Sequence, residues 1–379
     1  MKTLFLLFYG RFPSEKAASL FAAKSCEAFA EEGLRVVLLA PRRFLREKTD
    51  PFEYYHIQQN FTVVFLPTLD FLFLGVFKKL FFFLGYFFFS VSSSLYLLFK
   101  AKKNDIIYSN ESLPLFFATF FFKNTFYEMH DFPESKLALF GVFLKRVRFA
   151  LVHNKWKISR LHELFKISSE KILHEPNAVD VRDFDIEITK EDARKKLNLP
   201  LDKKIAVYTG HLYGWKGVDT LAESAKLLPP EYLIVFVGGT ETDVVAFRKK
   251  YGDDSRVLIV GNRKHQEIPI WQKAADLLVL PNTAKEKISK YYTSPMKLFE
   301  YMASGRPVVA TDIPSIREIV DETTAIIVFP DNAGSLTKGI LNAIQNKEHS
   351  EKISENAYRE VLHHTWRERA KRIFCFIGQ

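Results

Sequence analysis

Cysteine is scarce in this chain of 379 residues, where Cys26 and Cys375 stand alone. Two isolated cysteines supply neither a disulfide framework nor a zinc knuckle, so the sequence is typical of a reducing compartment and predicts a cytoplasmic protein. Basic glycine–aromatic and zinc-finger patterns are also missing, which argues against nucleic acid as a partner.

Several catalytic arrangements are missing as well. No Ser-His-Asp or Cys-His set presents a nucleophile, and no carboxylate pair stands out as a glycosidase pair. The Asp183-Phe184-Asp185 run lies in a charged linker, so we interpret it as solvated and predict no metal site. The N-terminus begins like a signal peptide, but its apolar run stops at Gly10-Arg11 without a small-residue cleavage site, which favours a buried strand.

Positive charge is in excess, with 54 Lys and Arg against 44 Asp and Glu and a net charge of +10. This excess favours anionic partners, either phosphate ligands or acidic lipid headgroups. The length suggests two domains with ample core. Strand patterns alternate with helix patterns along the chain, which predicts an α/β fold with parallel sheets. Binding groups should gather at the carboxyl ends of the strands, where Gly10 and His130 both lie.

The stretch from Tyr291 to Val320 carries the most specific pattern. Ser294 can cap a helix and Pro295 fits its first turn, while Gly305 ends it. A helix N-terminus that follows a strand end is an anion site. Glu300 lies beyond the reach of a phosphate at that tip but could reach a hydroxyl beside it, which suggests a nucleotide ribose. An amphipathic helix with a solvated Glu would show the same pattern.

This stretch resembles the nucleotide-sugar site of the retaining glycosyltransferases of family 4, the group 1 glycosyltransferases. Their motif is Glu, seven residues, Glu; the second Glu falls on Glu300, while the first position is Tyr292. The resemblance implies the GT-B fold, with two Rossmann-like doubly wound domains facing a central cleft and a C-terminal helix crossing back to the first domain. We expect a first domain of residues 1–178 plus about 364–379, and a nucleotide-sugar-binding domain of residues 179–363.

The resemblance also implies site residues. It places His130 near the transferred sugar, Lys216 on the donor diphosphate, and His211 where the family commonly has a second basic residue. We expect catalytic roles for His130, Lys216 and Glu300. The residues expected to bind the donor are Gly10, His211, Lys216, Gly239, Arg263, Ser294, Pro295, Met296, Lys297 and Glu300. The donor is a substrate, and no further cofactor is expected.

The implied function is retaining hexosyl transfer from a nucleotide-diphosphate sugar to a lipid-linked or cell-surface glycan acceptor, without a metal. In the family the first motif Glu usually contacts the transferred sugar, so Tyr292 bears on sugar choice. One alternative is a nucleotide-sugar epimerase of the same architecture. Another is a non-catalytic, membrane-associated nucleotide-binding protein.

The segment from Leu80 to Phe99 contains twenty residues without a charge. Its length permits a transmembrane helix. However, the strands predicted on either side should share one sheet, and lysines flank both of its ends. We therefore predict a helix that packs on the sheet and exposes Phe and Leu to an anionic membrane surface, as a peripheral protein on the cytoplasmic face. A helix buried on all sides is the alternative.

Overall fold

The computed structural model describes residues 2–43, 49–70 and 78–378. The chain forms two compact units. Unit 1 contains the residues up to Glu175 together with those from Trp366 onward, and unit 2 contains Pro176–Thr365.

Unit 1 is built on a parallel sheet whose described strands follow the order β3-β2-β1-β4-β5-β6-β7. The strands are β1 (Thr3–Leu7), β2 (Arg35–Pro41), β3 (Thr62–Leu66), β4 (Ile106–Ser109), β5 (Thr125–Met129), β6 (Phe149–Val152) and β7 (Ile172–His174). The helices are α1 (Ala17–Glu31), α2 (Pro51–Tyr55), α3 (Lys78–Lys100), α4 (Ser112–Ala118), α5 (Leu137–Arg146), α6 (Lys155–Phe165) and the last helix of the chain, α16 (Trp366–Gly378).

Unit 2 repeats the design, with a parallel sheet of order β10-β9-β8-β11-β12-β13 in the described residues. The strands are β8 (Lys204–Thr209), β9 (Tyr232–Val237), β10 (Val257–Gly261), β11 (Leu277–Leu280), β12 (Val308–Thr311) and β13 (Ile326–Val328). The helices are α7 (Val181–Phe184), α8 (Lys190–Lys196), α9 (Val218–Ala225), α10 (Glu241–Tyr251), α11 (Ile268–Ala274), α12 (Met296–Ala303), α13 (Pro314–Arg317), α14 (Ala333–Gln345) and α15 (Lys347–Val361).

The strands follow short apolar runs because both faces of each sheet are covered by helices. β9, for example, is buried at all six of its positions. The alternation of strands and helices predicted from the sequence is thereby confirmed. On one face of the unit 2 sheet, α14 packs against β12 and β13. A close approach of this kind requires a small residue on the helix.

That small residue is Gly339. A Cβ atom added to it would lie 2.5 Å from Val328 Cγ1 and 3.0 Å from Val309 Cγ1. Gly334 lies in the first turn of the same helix, and the nearest atom to its added Cβ is 3.4 Å away. The two glycines lie in one helix, but only Gly339 is so closely packed that it has no room for a Cβ atom.

We expect Gly339→Ala to lower the free energy of unfolding by about 1–3 kcal/mol, because the added methyl group overpacks the helix–sheet contact. Gly334→Ala should leave stability unchanged or raise it by up to about 1 kcal/mol through the lower entropy of the unfolded chain. Urea unfolding followed by circular dichroism measures both. Equal effects of the two substitutions would contradict the packing assigned to α14.

Candidate active site

The loop after β8 approaches the start of α12 at the carboxyl edge of the unit 2 sheet. Gly210 follows β8 with φ +122°, and a Cβ atom there would lie 2.8 Å from Lys297 Nζ. Gly217 has φ +73°, and its Cβ would lie 1.9 Å from the carbonyl oxygen of Pro281, after β11. Both positions require glycine because the backbone conformation and the space exclude a side chain.

Lys297 places an ammonium group in this space. Its Nζ is buried and has no hydrogen-bond partner among the described residues. The group lies 3.9 Å from the ring centroid of Tyr208, which is itself fully buried in β8. A cation–π contact of this kind stabilises the charge only in part. The ammonium group therefore retains hydrogen-bonding capacity for an anion.

Lys216 is the second ammonium group at this edge. It ends a 3₁₀ turn, Gly214–Lys216, and its Nζ lies 3.7 Å from the ring centroid of Trp215. Among the described residues, no carboxylate is close enough to offset its charge. Burial lowers the pKa of Lys216 to about 7. Burial and then the charge of Lys216 lower the pKa of Lys297 well below its ordinary value. Glu300 opposes this shift only in small part, so the two buried amines form a site that an anion would stabilise in the charged form.

The predicted cap of α12 is wrong. The helix begins at Met296, with Pro295 at its N-cap position and no capping side chain. Ser294 is buried, and its Oγ accepts a hydrogen bond from the Asn177 backbone N–H at 3.2 Å. Asn177 Nδ2 also donates to the Ser294 carbonyl oxygen. Ser294 thus holds the segment before β8 in place, and the helix start offers its own backbone N–H groups to a ligand.

Glu300 lies on α12 and is partly buried. Its Oε1 is 3.3 Å from Nε2 of His265, which belongs to the short 3₁₀ helix His265–Glu267 after β10. The ring of His265 in turn meets Phe184 at a centroid distance of 5.7 Å. The carboxylate therefore has one oriented partner and remains accessible to a hydroxyl group.

The other predicted donor-binding residues of unit 2 lie in loops that follow strands. His211 is exposed, and its ring stacks on that of Tyr213 with a centroid distance of 4.9 Å and an interplanar angle of 7°. Gly239, directly after β9, has φ +90°. Arg263 follows β10 and donates to the carbonyl oxygen of Asn262 at 2.7 Å. These loops all leave the same edge of a parallel sheet, as the sequence predicted.

His130 follows β5 in unit 1. Its Nε2 lies 3.5 Å from Oε1 of Glu128, and its ring meets Phe21 edge-on at 4.7 Å. Gly10 follows β1, and a Cβ atom there would lie 2.2 Å from the ring of Phe8, so the turn requires glycine. Both residues lie at the carboxyl edge of the unit 1 sheet, where they were predicted.

Three site residues were not singled out from the sequence, namely Tyr208, Trp215 and His265. The sequence around Tyr208 predicts a strand, and it gives no indication that Tyr208 contacts Lys297. Trp215 adjoins Lys216 in sequence, so an aromatic residue beside a lysine in a glycine-rich loop was the available signal. His265 lies 35 residues from Glu300, a separation that leaves no local pattern.

Comparison with known proteins points to one family. Residues 189–360 match the family model described as "Glycosyl transferases group 1". The lipopolysaccharide core biosynthesis mannosyltransferase LpsB of Rhizobium meliloti (strain 1021) is 32% identical over 174 residues, which are 42% of this chain and 46% of LpsB. The chain spans about half the length of the curated relatives it matches. The resemblance to the group 1 glycosyltransferases is thereby confirmed.

Solved structures confirm the GT-B fold class. The sucrose-phosphate synthase (tll1590) from Thermosynechococcus elongatus superposes with a TM-score of 0.77 at 18% identity, covering 100% of this chain and 99% of that chain. Anabaena Alr3699/HepE in complex with UDP-glucose gives a TM-score of 0.76 at 17% identity and covers 100% of both chains. At these identities the likeness shows the fold alone.

Lys216→Met is expected to raise stability while removing anion affinity. The unfolded chain binds more protons than the folded chain between pH 7 and about pH 10, because the folded pKa of Lys216 is about 7 and the ordinary value is about 10.4. The lysine therefore destabilises the fold at pH 7, and less so as the pH rises. The substitution should raise the free energy of unfolding by about 0.5–2 kcal/mol at pH 7, and by less at pH 10.

Urea unfolding at the two pH values measures this effect, and calorimetry with a nucleoside diphosphate measures the affinity. Lys249→Met, at an exposed position of α10, is the control and should change neither quantity. A loss of stability in Lys216→Met would show that the ammonium group already has a compensating partner.

Proposed function

We propose that the chain is a retaining glycosyltransferase that moves a hexose from a nucleotide-diphosphate sugar to a lipid-linked or cell-surface glycan acceptor, without a metal. The observation that carries the proposal is the pair of lysine side chains at the carboxyl edge of the unit 2 sheet. Lys216 Nζ and Lys297 Nζ each lie over an aromatic ring, and Lys297 Nζ is buried without a hydrogen-bond partner among the described residues. A diphosphate supplies the negative charge that this pair lacks. The match of residues 189–360 to the group 1 glycosyl transferases supports the reaction class.

The chemistry rests on charge stabilisation of the leaving diphosphate. As the bond between the anomeric carbon and the diphosphate oxygen breaks, negative charge develops on the leaving group, and two nearby cations stabilise it. The N–H groups at the start of α12 act in the same direction through the helix dipole. Protein cations thus perform the role that a metal has in other glycosyltransferases. The acceptor oxygen forms the new bond to the anomeric carbon, and its proton passes to the departing diphosphate oxygen.

Glu300 and His130 complete the assignment. Glu300 is one turn or more into α12, where its carboxylate can accept hydrogen bonds from ribose hydroxyls beside the diphosphate. The family resemblance assigns His130 to the transferred sugar. Retention follows from the same resemblance and is tested by nuclear magnetic resonance of the product, which reports the anomeric configuration directly.

The epimerase alternative is not favoured, because the family model describes glycosyl transferases and the relative LpsB is a mannosyltransferase. An epimerase would convert a nucleotide sugar without an acceptor, and a non-catalytic binding protein would leave it intact. Thermal shift with UDP-, GDP- and ADP-sugars identifies the donor, and release of nucleoside diphosphate with and without acceptor then separates the three functions. Conversion of the sugar without transfer would overturn the proposal.

Glu300→Gln should weaken binding of the identified nucleotide by about 1.5–3 kcal/mol, because a hydrogen bond to a charged group is replaced by one to a neutral amide. The matched control is Glu318→Gln, which lies outside α12. A 2′-deoxy or 3′-deoxy nucleotide should lose less affinity in Glu300→Gln than in the native protein. Calorimetry with an unchanged dissociation constant for Glu300→Gln would refute the ribose assignment.

The second part of the proposal is peripheral membrane association through α3. The segment Lys79–Lys100 of this helix is long and apolar enough to cross a membrane, and about a third of its most apolar part is buried in the protein. Most of its large apolar side chains are exposed, whereas Phe89 and Leu97 are fully buried. The exposed ones are Leu80, Phe82, Phe83, Leu84, Phe87, Phe88, Leu95, Leu98 and Phe99. The alternative of a helix buried on all sides is therefore excluded.

The buried face of α3 is the more polar one. Ser90 and Ser93 are fully buried, and Ser94 nearly so. Their hydroxyls donate to carbonyl oxygens of the same helix, for example Ser90 Oγ to Tyr86 at 2.7 Å. Gly85 lies against the carbonyl oxygen of Leu69, where a Cβ atom would be 2.5 Å away. Small residues beside two buried apolar side chains, Phe89 and Leu97, thus face the protein, while most Phe and Leu side chains face outward. This arrangement is expected of a helix whose outer solvent is lipid.

Basic residues interleave with further exposed aromatics beside α3. Phe120 and Phe121 follow α4 and are more than half exposed, and the Arg146 guanidinium lies 4.2 Å from the ring centroid of Phe120. The exposed cations of this surface are Lys79, Lys100, Lys102, Lys103, Lys123, Lys145 and Arg146. β3 and β4, on either side of α3 in sequence, belong to one sheet. This topology favours a helix lying in the membrane interface over a span.

Liposome flotation should show binding that strengthens with the fraction of anionic lipid, by about 1 kcal/mol for each basic contact, and that salt weakens without abolishing. Phe83→Ser/Phe87→Ser/Phe99→Ser should lose binding. Leu227→Ser/Val245→Ser/Phe329→Ser removes three exposed apolar side chains from unit 2 and should bind as before. Soluble native protein at every composition would refute the surface, and resistance to alkaline carbonate would indicate a span.

A further inference from the structure

A buried carboxylate lies directly behind His130. Glu128 belongs to β5 and is fully buried. Its Oε1 is 2.7 Å from His153 Nε2 and accepts a hydrogen bond from the Arg369 guanidinium at 2.5 Å. Its Oε2 accepts a hydrogen bond from the Tyr108 hydroxyl at 2.5 Å. Both carboxylate oxygens are therefore occupied.

The carboxylate is ionised. Burial alone would raise the pKa of Glu128, but the charge of Arg369 and the two neighbouring imidazoles outweigh it and hold that pKa well below its usual range. Burial lowers the pKa of His153 well below its usual range, so His153 is neutral at pH 7. A neutral imidazole facing a carboxylate must donate, so His153 carries its proton on Nε2.

The cluster is an oriented ion pair rather than a metal site. Ligand atoms of Glu128, His130 and His153 lie within 4.8 Å of one another, a separation that a metal ion could bridge. However, the guanidinium of Arg369 contacts the same Oε1 that faces both histidines. A cation of the protein is thus already bound to the oxygen that a metal ion at this cluster would require.

Three neighbours fix the position of His130. Lys157 Nζ, which is fully buried, donates to the His130 carbonyl oxygen at 2.6 Å and to that of Met129 at 2.9 Å. Phe21 packs edge-on against the ring. The Nε2 atom of His130 is buried 3.5 Å from Glu128 Oε1, while 27% of the side chain is exposed. The ring thus turns one nitrogen toward the carboxylate and keeps an accessible edge.

We propose that Glu128, kept ionised by Arg369 of α16, is a positioning residue that fixes the tautomer of His130. The carboxylate favours a proton on Nε2, so Nδ1 carries the lone pair and accepts a hydrogen bond. The role of this acceptor rests on the proposed function, in which His130 faces a hydroxyl of the transferred sugar. The tautomer itself is a property of unit 1 and requires no donor.

Nitrogen-15 magnetic resonance of the full chain with labelled histidine tests the tautomer. Spectra are recorded at about pH 8.5, where imidazole is neutral, and the His130 signals are those lost in His130→Gln. We expect the tautomer with the proton on Nε2 in the native protein. A proton on Nδ1 would overturn the proposal without any variant of the cluster and without donor.

A charge-neutral double variant tests the origin of the effect. Glu128→Gln/Arg369→Met removes both charges together and so leaves no unpaired buried ion. It should mix the two His130 tautomers and lower kcat about 10- to 100-fold through misplacement of the ring, with nucleotide affinity unchanged. Tyr108→Phe keeps the ion pair and should retain tautomer and turnover. Glu128→Asp keeps the negative charge on a shorter side chain and should therefore retain part of the native preference for one tautomer.

A folded double variant with the native His130 spectrum would overturn the role of Glu128, as would equal losses of turnover in Tyr108→Phe and the double variant. The proposed function fails in a different way. Native protein that shows the expected tautomer but transfers no sugar with any donor would contradict glycosyl transfer and leave the positioning by Glu128 intact.

Discussion

Parallel pairing is the constraint on which the rest of this structure depends. Because every paired strand in both sheets runs in the same direction, each strand delivers its following loop to one edge. In unit 2 that edge collects the loop of Gly210 after β8 and Lys297 at the start of α12, and the Lys297 ammonium group is buried there. The desolvation of Lys216 and Lys297 costs free energy that an ordinary fold would avoid, and rings rather than carboxylates offset it in part. We therefore expect a ligand to supply the negative charge that Lys216 and Lys297 lack.

The two units treat buried charge in opposite ways. In unit 1, Glu128 is matched by Arg369, and Lys157 donates to two backbone carbonyl oxygens. In unit 2, Lys216 and Lys297 share an environment that raises the free energy of both charged forms. The first arrangement is complete and keeps His130 in one orientation. The second arrangement lacks a matching negative charge, and the diphosphate that we propose as its ligand supplies one. Unit 1 therefore provides a preorganised side chain, His130, whereas unit 2 provides the groups that we propose bind the donor.

The fold was accessible from the sequence because its strands are short apolar runs bounded by glycine, proline and polar residues, as β8 and β9 illustrate. Lys216, Lys297 and Glu300 were accessible because they lie in a local motif. The capping of α12 was misjudged because Asn177, 117 residues away in sequence, takes the Ser294 hydroxyl. The pairing of Glu300 with His265 was missed for the same reason. The aromatic segment Leu80–Phe99 revealed a helix, but which face it exposes depends on where its serines pack, and that is a tertiary property.

The placement of α16 has a consequence for biosynthesis. The chain completes the sheet of unit 1 with β7 at His174, yet the guanidinium that neutralises Glu128 belongs to residue 369. While the ribosome synthesises unit 2, the nascent unit 1 therefore has a carboxylate that cannot be buried in its ionised form at low cost. Unit 1 must keep this part of its interior hydrated, or protonated, until residues 366–378 emerge. Unit 1 is therefore synthesised first, but its interior is completed only after unit 2 has been synthesised.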